Sequence, residues 1–168
     1  MKKAFLVLAI VFASVVSANA QWWVGGGLGA DIQKNSTGFS LSPEVGYMIP
    51  DSPFTVALGV GYAFDKVKGL GSTNALTLQP YFRYVPCTIG EKFSLFLDLT
   101  GDFGLFGGPK KDAWAVMVQP GIAWMATDKW TAAFRLGKIG YDHNFYSTDG
   151  FLTNFDLSSP SIRIYYNF

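Results

Sequence analysis

Pro160-Ser161-Ile162-Arg163-Ile164-Tyr165-Tyr166-Asn167-Phe168 is the stretch whose reading decides the fold. Ile162, Ile164, Tyr166 and Phe168 share one parity, and Ser161, Arg163, Tyr165 and Asn167 share the other. Side chains alternate between the faces of a strand, so this pattern predicts a strand with one apolar and one polar face. The pattern recurs upstream around three more prolines: SLSPEVGY at Pro43, ALTLQPYFRY at Pro80 and AVMVQPGIAW at Pro120. The prolines are spaced 37, 40 and 40 residues apart, and two residues past them stand Val45, Phe82, Ile122 and Ile162. A unit of about 40 residues, each with one such strand and a partner, is a hairpin repeated four times. Eight strands are expected.

Residues 1–20 are read as a cleavable signal peptide and 21–168 as the folded domain. Lys2 and Lys3 supply the positive end, Phe5 to Val16 the apolar stretch, and Ala18-Asn19-Ala20 a small-residue cleavage site. The residue after the cut is Gln21 rather than Cys, which argues against a lipid anchor. Without the leader's two lysines, 11 basic residues face 12 acidic ones, and no basic cluster remains that would favour nucleic acid. The single Cys87 cannot form an internal disulfide.

The chain is 49% hydrophobic and 17% aromatic, yet no run of about twenty apolar residues follows the leader. Hydrophobicity spread as alternation is the expected form of a transmembrane β-barrel. The strands are placed at about 22–32, 38–48, 54–65, 74–85, 93–104, 113–124, 131–141 and 155–168. A soluble carrier barrel would turn the apolar face inward; a membrane barrel turns it to lipid and fills its lumen with polar groups. The polar parity holds Glu44, Arg83, Asp98, Asp102, Arg135 and Arg163, along with small residues suited to a crowded interior such as Gly59, Gly61, Gly121 and Ala133. Aromatics collect at the strand ends: Trp22, Trp23, Tyr47, Phe54, Tyr84, Phe93, Trp124, Trp130, Tyr166 and Phe168 at one rim, Tyr62, Phe64, Phe103, Trp114 and Phe155 toward the other. Two aromatic girdles mark a membrane interface. The membrane arrangement is preferred.

A signal peptide, about 150 further residues, eight amphipathic strands and a last strand ending Tyr-Tyr-Asn-Phe resemble the small outer-membrane β-barrel family. That porin-like group includes outer membrane proteins X and W and the membrane domain of outer membrane protein A. The resemblance spans residues 21–168 and implies an all-β, eight-stranded antiparallel up-and-down barrel in the cell outer membrane, with periplasmic termini. Tyr166 and Phe168 resemble the signal read by the barrel-assembly machinery. The implied partners are that machinery and periplasmic chaperones during biogenesis, and outer-membrane lipids including lipopolysaccharide afterwards. The implied state is a monomer without cofactor or metal. Connections at about 33–37, 66–73, 105–112 and 142–154 would then face outside.

The prolines fall on the lipid-facing parity near mid-strand, where each removes a ladder donor. A bulge or bend that re-pairs the ladder is expected at each.

Two candidate chemistries are set aside. His143 with Asp142, Ser147 and Asp149 holds residue types an outer-leaflet lipid-modifying enzyme would use, but Asp, Asn, Ser and Thr are also ordinary loop chemistry. Gly25 to Asp31 formally matches a dinucleotide fingerprint, but no strand precedes it and no helix follows. The six lumenal charges matter more. Buried charges must pair, and guanidinium pairs bidentately with carboxylate. Glu44 and Asp98 are each expected to contact at least one arginine and plug the lumen. That reading implies a structural or cell-surface interaction role. A narrow channel for small or hydrophobic solutes is the alternative, followed by the enzyme.

Overall fold

The structure is a computed structural model that describes residues 21–33, 36–68, 71–107, 112–146, 149–155 and 161–168. The expected leader, Ser147 and Pro160 lie outside them. Ten strand segments are present: β1 (Trp22–Gln33), β2 (Ser36–Met48), β3 (Phe54–Val67), β4 (Gly71–Ile89), β5 (Phe93–Phe106), β6 (Trp114–Met125), β7 (Trp130–Arg135), β8 (Lys138–His143), β9 (Gly150–Asn154) and β10 (Ser161–Asn167).

These segments make eight wall strands. β1 to β6 pair in sequence, all antiparallel, β6 pairs with both β7 and β8, and β7 pairs with β10, which returns to β1. β7 and β8 are therefore two parts of one wall strand, and β9 pairs with β8 as a hairpin. The expected single strand at 131–141 is broken at Leu136 and Gly137. Val118 pairs with Ile139 and Gly121 with Arg135, so the β7–β8 side carries one extra residue. The expected 142–154 loop is largely this hairpin: β8 runs to His143 and β9 starts at Gly150. The first and last described strands meet at one rim, where the Phe168 N–H donates to the Trp22 carbonyl at 3.1 Å. That rim is the termini end, and the opposite rim is the loop end.

The expected bulge is absent at Pro43 and Pro80, where no residue is inserted in either strand. Pro43, Pro80 and Pro120 pair in unbroken register with the preceding strand, opposite Gly26, Leu58 and Leu97. Only the ladder to the following strand is interrupted. On the β2–β3 side, pairing skips from Leu41↔Tyr62 to Glu44↔Gly59, and on the β4–β5 side from Leu78↔Phe103 to Tyr81↔Thr100. Both resume in register, with no residue inserted. Of these three, Pro120 alone faces a bulge, and it lies in the partner strand, where the Leu136 N–H donates to the Pro120 carbonyl at 2.9 Å. A strand residue's N–H and C=O point to the same neighbour, so a proline turned one way weakens one ladder and spares the other.

The two faces separate as the alternation requires. On β5, Leu97 and Leu99 are 40% and 52% exposed, whereas Asp98 between them is fully buried. Four aromatic side chains also point inward: Trp23, Tyr81, Phe96 and Tyr165 pack as a buried cluster with Ala133. Trp23 thus leaves the rim assigned to it from sequence and fills the interior, with its ring 4.4 Å from that of Tyr165. Glycine makes this possible, since a Cβ at Gly46 would run into the Trp23 ring and one at Gly121 into Phe96.

Candidate functional site in the barrel lumen

Asp98 is the hub of the interior. Arg83 donates Nε–H to its Oδ1 at 2.7 Å and Nη2–H to its Oδ2 at 2.9 Å. Arg135 donates Nε–H to the same Oδ2 at 2.9 Å. Arg83 and Asp98 are direct cross-strand partners on β4 and β5, while Arg135 reaches in from β7. One carboxylate with two guanidinium groups satisfies Asp98 fully and leaves local positive charge. The excess is met by rings: the Arg83 guanidinium carbon lies 3.9 Å from the Phe96 centroid, and that of Arg135 lies 4.8 Å from Tyr81. Cations over aromatic faces are attracted by the ring quadrupole, more so when desolvated. The Tyr165 hydroxyl adds a contact at 3.3 Å from Arg83 Nη2.

The other charges sit around this hub. Arg163 Nη1 lies 3.0 Å from Glu44 Oε2, both buried, but the contact is an ion pair without hydrogen-bond alignment. Asp102 is held from above, because the Tyr146 hydroxyl donates to its Oδ2. Tyr146 follows β8, and its neighbour Phe145 packs against Ala113, Ala115 and Met117. Asp142, fully buried, accepts the backbone N–H groups of Phe145 at 2.9 Å and Tyr146 at 3.1 Å, which turns the chain back over the barrel mouth. Lys138 Nζ lies 3.3 Å from the Tyr146 ring centroid. Desolvation of the hydroxyl, and then the Asp102 carboxylate, push the Tyr146 phenol well above its ordinary value, although the residue as a whole is 38% exposed.

Two cavities flank the hub. A polar one of about 380 Å³ is lined by Arg135, Arg163, Asp102, Lys138 and Tyr146 among others. A smaller one of about 150 Å³, nearer the termini end, is lined by Arg83, Phe96, Trp23 and Tyr165. Arg83 lines only the small cavity and Arg135 only the large one, with Asp98 joining them.

Sequence reasoning missed Tyr146, Phe96 and Trp23. Phe96 shares parity with Ser94 and Asp98, which was the available signal. Tyr166 packs edge-on against Trp130 and Phe168 at the termini rim, with centroids 5.1 and 5.3 Å apart. His143 pairs with Asp149 and stacks on Trp114 at 5.7 Å, Asp142 caps backbone, and Ser147 lies outside the described residues. Among the described residues no cluster of ligand side chains suits a metal ion.

No protein-family model matches the chain. A 65-residue stretch is 40% identical to an uncharacterised protein of Haemophilus influenzae, and it covers 38% of this chain and 32% of that protein. Among solved structures, the backbone structure of the Yersinia pestis outer membrane protein Ail in a phospholipid bilayer nanodisc is similar at a TM-score of 0.49 and 13% identity. That match covers 89% of this chain and 100% of that one. A likeness at that level carries no assignment, and the barrel described above rests on its own ladders.

Proposed function

We propose that the chain is an integral outer-membrane β-barrel with periplasmic termini and a plugged polar lumen, serving a structural or interaction role at the cell surface. The carrying observation is the inversion of faces on β5, with a fully buried Asp98 between exposed Leu97 and Leu99. A soluble barrel would reverse that order, because exposed leucine belts gain free energy only against lipid. The plug is supported by the Arg83–Asp98–Arg135 bridge between the two cavities, since an eight-stranded barrel is only wide enough for its side chains to fill. Outer-membrane lipids including lipopolysaccharide, and the assembly machinery with its chaperones, are the partners this reading requires. It assigns no catalytic role.

A narrow channel is the second reading, favoured by the cavities on both sides of the hub. Planar-bilayer recording separates the two. The refolded chain should give no steady single-channel current, and steady conductance would overturn the plug. Membrane placement is tested separately: the folded chain should change gel mobility on boiling, and purification as a stable detergent-free monomer would overturn it.

A further inference from the structure

We infer that the larger lumenal cavity binds a small hydroxyl-bearing oxyanion, of which hydrogen phosphate is the simplest case, entering from the loop end. Its volume of about 380 Å³ lies in the range of roughly 300–1,000 Å³ usual for small-molecule sites. Its lining carries three cations, Arg135, Lys138 and Arg163, against one carboxylate, Asp102. Asp98 and Glu44, which offset the two arginines, stand behind them and off the lining.

The guanidinium groups are not saturated. Arg163 is 9% exposed and Arg135 5%, yet Arg163 Nε and Arg135 Nη2 have no hydrogen-bond acceptor. Arg135 Nη2 does lie 2.7 Å from Asp98 Oδ2, but off the line of a hydrogen bond. A buried donor left unpaired is costly, and a guanidinium fork suits the oxygens of phosphate or carboxylate. The same wall also holds unpaired acceptors, Asp102 Oδ1 and Gln79 Oε1. A bare anion would meet repulsion there. An oxyanion that also carries a hydroxyl satisfies both sets, with oxygens toward the arginines and hydroxyl toward Asp102 and Gln79.

The inference rests on the blocked lumen proposed above, because the hub closes the cavity's floor. The full folded chain in a zwitterionic detergent would be titrated with inorganic phosphate, and in a second arm with lactate, against sodium chloride at matched ionic strength. The readout is the NMR signal of the Arg163 Nε–H group. Phosphate should shift it saturably and chloride should not, and a saturable shift with lactate alone would assign the site to hydroxy acids. Lys138→Gln, at the mouth and outside the hub, should weaken binding about tenfold, the effect of losing one charge-assisted contact. Shifts that grow without saturating, or that chloride reproduces, overturn the site. Unchanged affinity in Lys138→Gln overturns its placement. Failure of the plug would appear as single-channel current instead, so the two outcomes are distinguishable.

Discussion

Arg83 grips Asp98 with two parallel hydrogen bonds of 2.7 and 2.9 Å, and the two residues are also directly opposite in the β4–β5 ladder. Side chain and backbone thus fix the same register. A slip of one residue on either strand would turn one charge to the apolar outer face.

Asp98→Ala should destabilise the barrel by roughly 3–5 kcal/mol, because it leaves two buried guanidinium groups without their carboxylate. Asp98→Asn should cost less, since it keeps an acceptor in place. Reversible urea unfolding in detergent measures both, and a cost near zero for the alanine variant would mean that lumenal water replaces the carboxylate.

Leu97→Arg should cost about 2–4 kcal/mol as a lipid-facing substitution near the midplane. Ser94→Arg, on the inward parity beside the small cavity, should be milder. The opposite ranking would invert the assignment of faces.

Gly46→Val should displace the Trp23 ring, and overpacking of this kind costs roughly 1–3 kcal/mol. Gly90→Val, at an open turn with φ of 63° and nothing near its Cβ, should show only backbone strain and leave Trp23 fluorescence in place. Equal quenching changes in both variants would argue against the glycine–tryptophan contact.

Tyr146 gives a pH signature. Its hydroxyl titrates above the ordinary phenol value in the folded state, so its contribution is complete below pH about 10 and is lost as pH rises toward the folded value. Tyr146→Phe should therefore be less stable than the unmodified chain by about 1 kcal/mol at neutral pH, with the gap closing in alkali. Paired unfolding curves at pH 7 and pH 11 check this, and a gap that widens at pH 11 would refute the bond to Asp102.

The inward and outward faces were legible because strand alternation has a period of two, and it separated Asp98 from Leu97 without any knowledge of neighbours. Depth in the lumen was less legible. Which charge meets which depends on stagger between strands, and that stagger is set by irregularities such as the shifts at Leu76/Thr77 and Tyr84/Cys87. Pairing with Asp102 was invisible for another reason. Its partner Tyr146 lies 44 residues away in a segment read as a polar loop, and only the cap at Asp142 brings it back. Trp23 was misplaced because a tryptophan near a strand end suits either a membrane rim or a lumen, and the deciding space comes from Gly46 on the adjacent strand.

The orientation of the prolines divides the wall into seams of unequal strength. The ladders β1–β2, β3–β4 and β5–β6 run through twelve, fourteen and eleven consecutive pairs. The joints β2–β3, β4–β5 and β6 to β7–β8 each skip at a proline. The barrel is therefore a row of intact hairpin staves joined along perforated edges. On unfolding it should tear between staves before any stave unzips, and on assembly each hairpin can form as a unit before the joints close. Amide exchange would register this as three protected blocks separated by faster-exchanging lines.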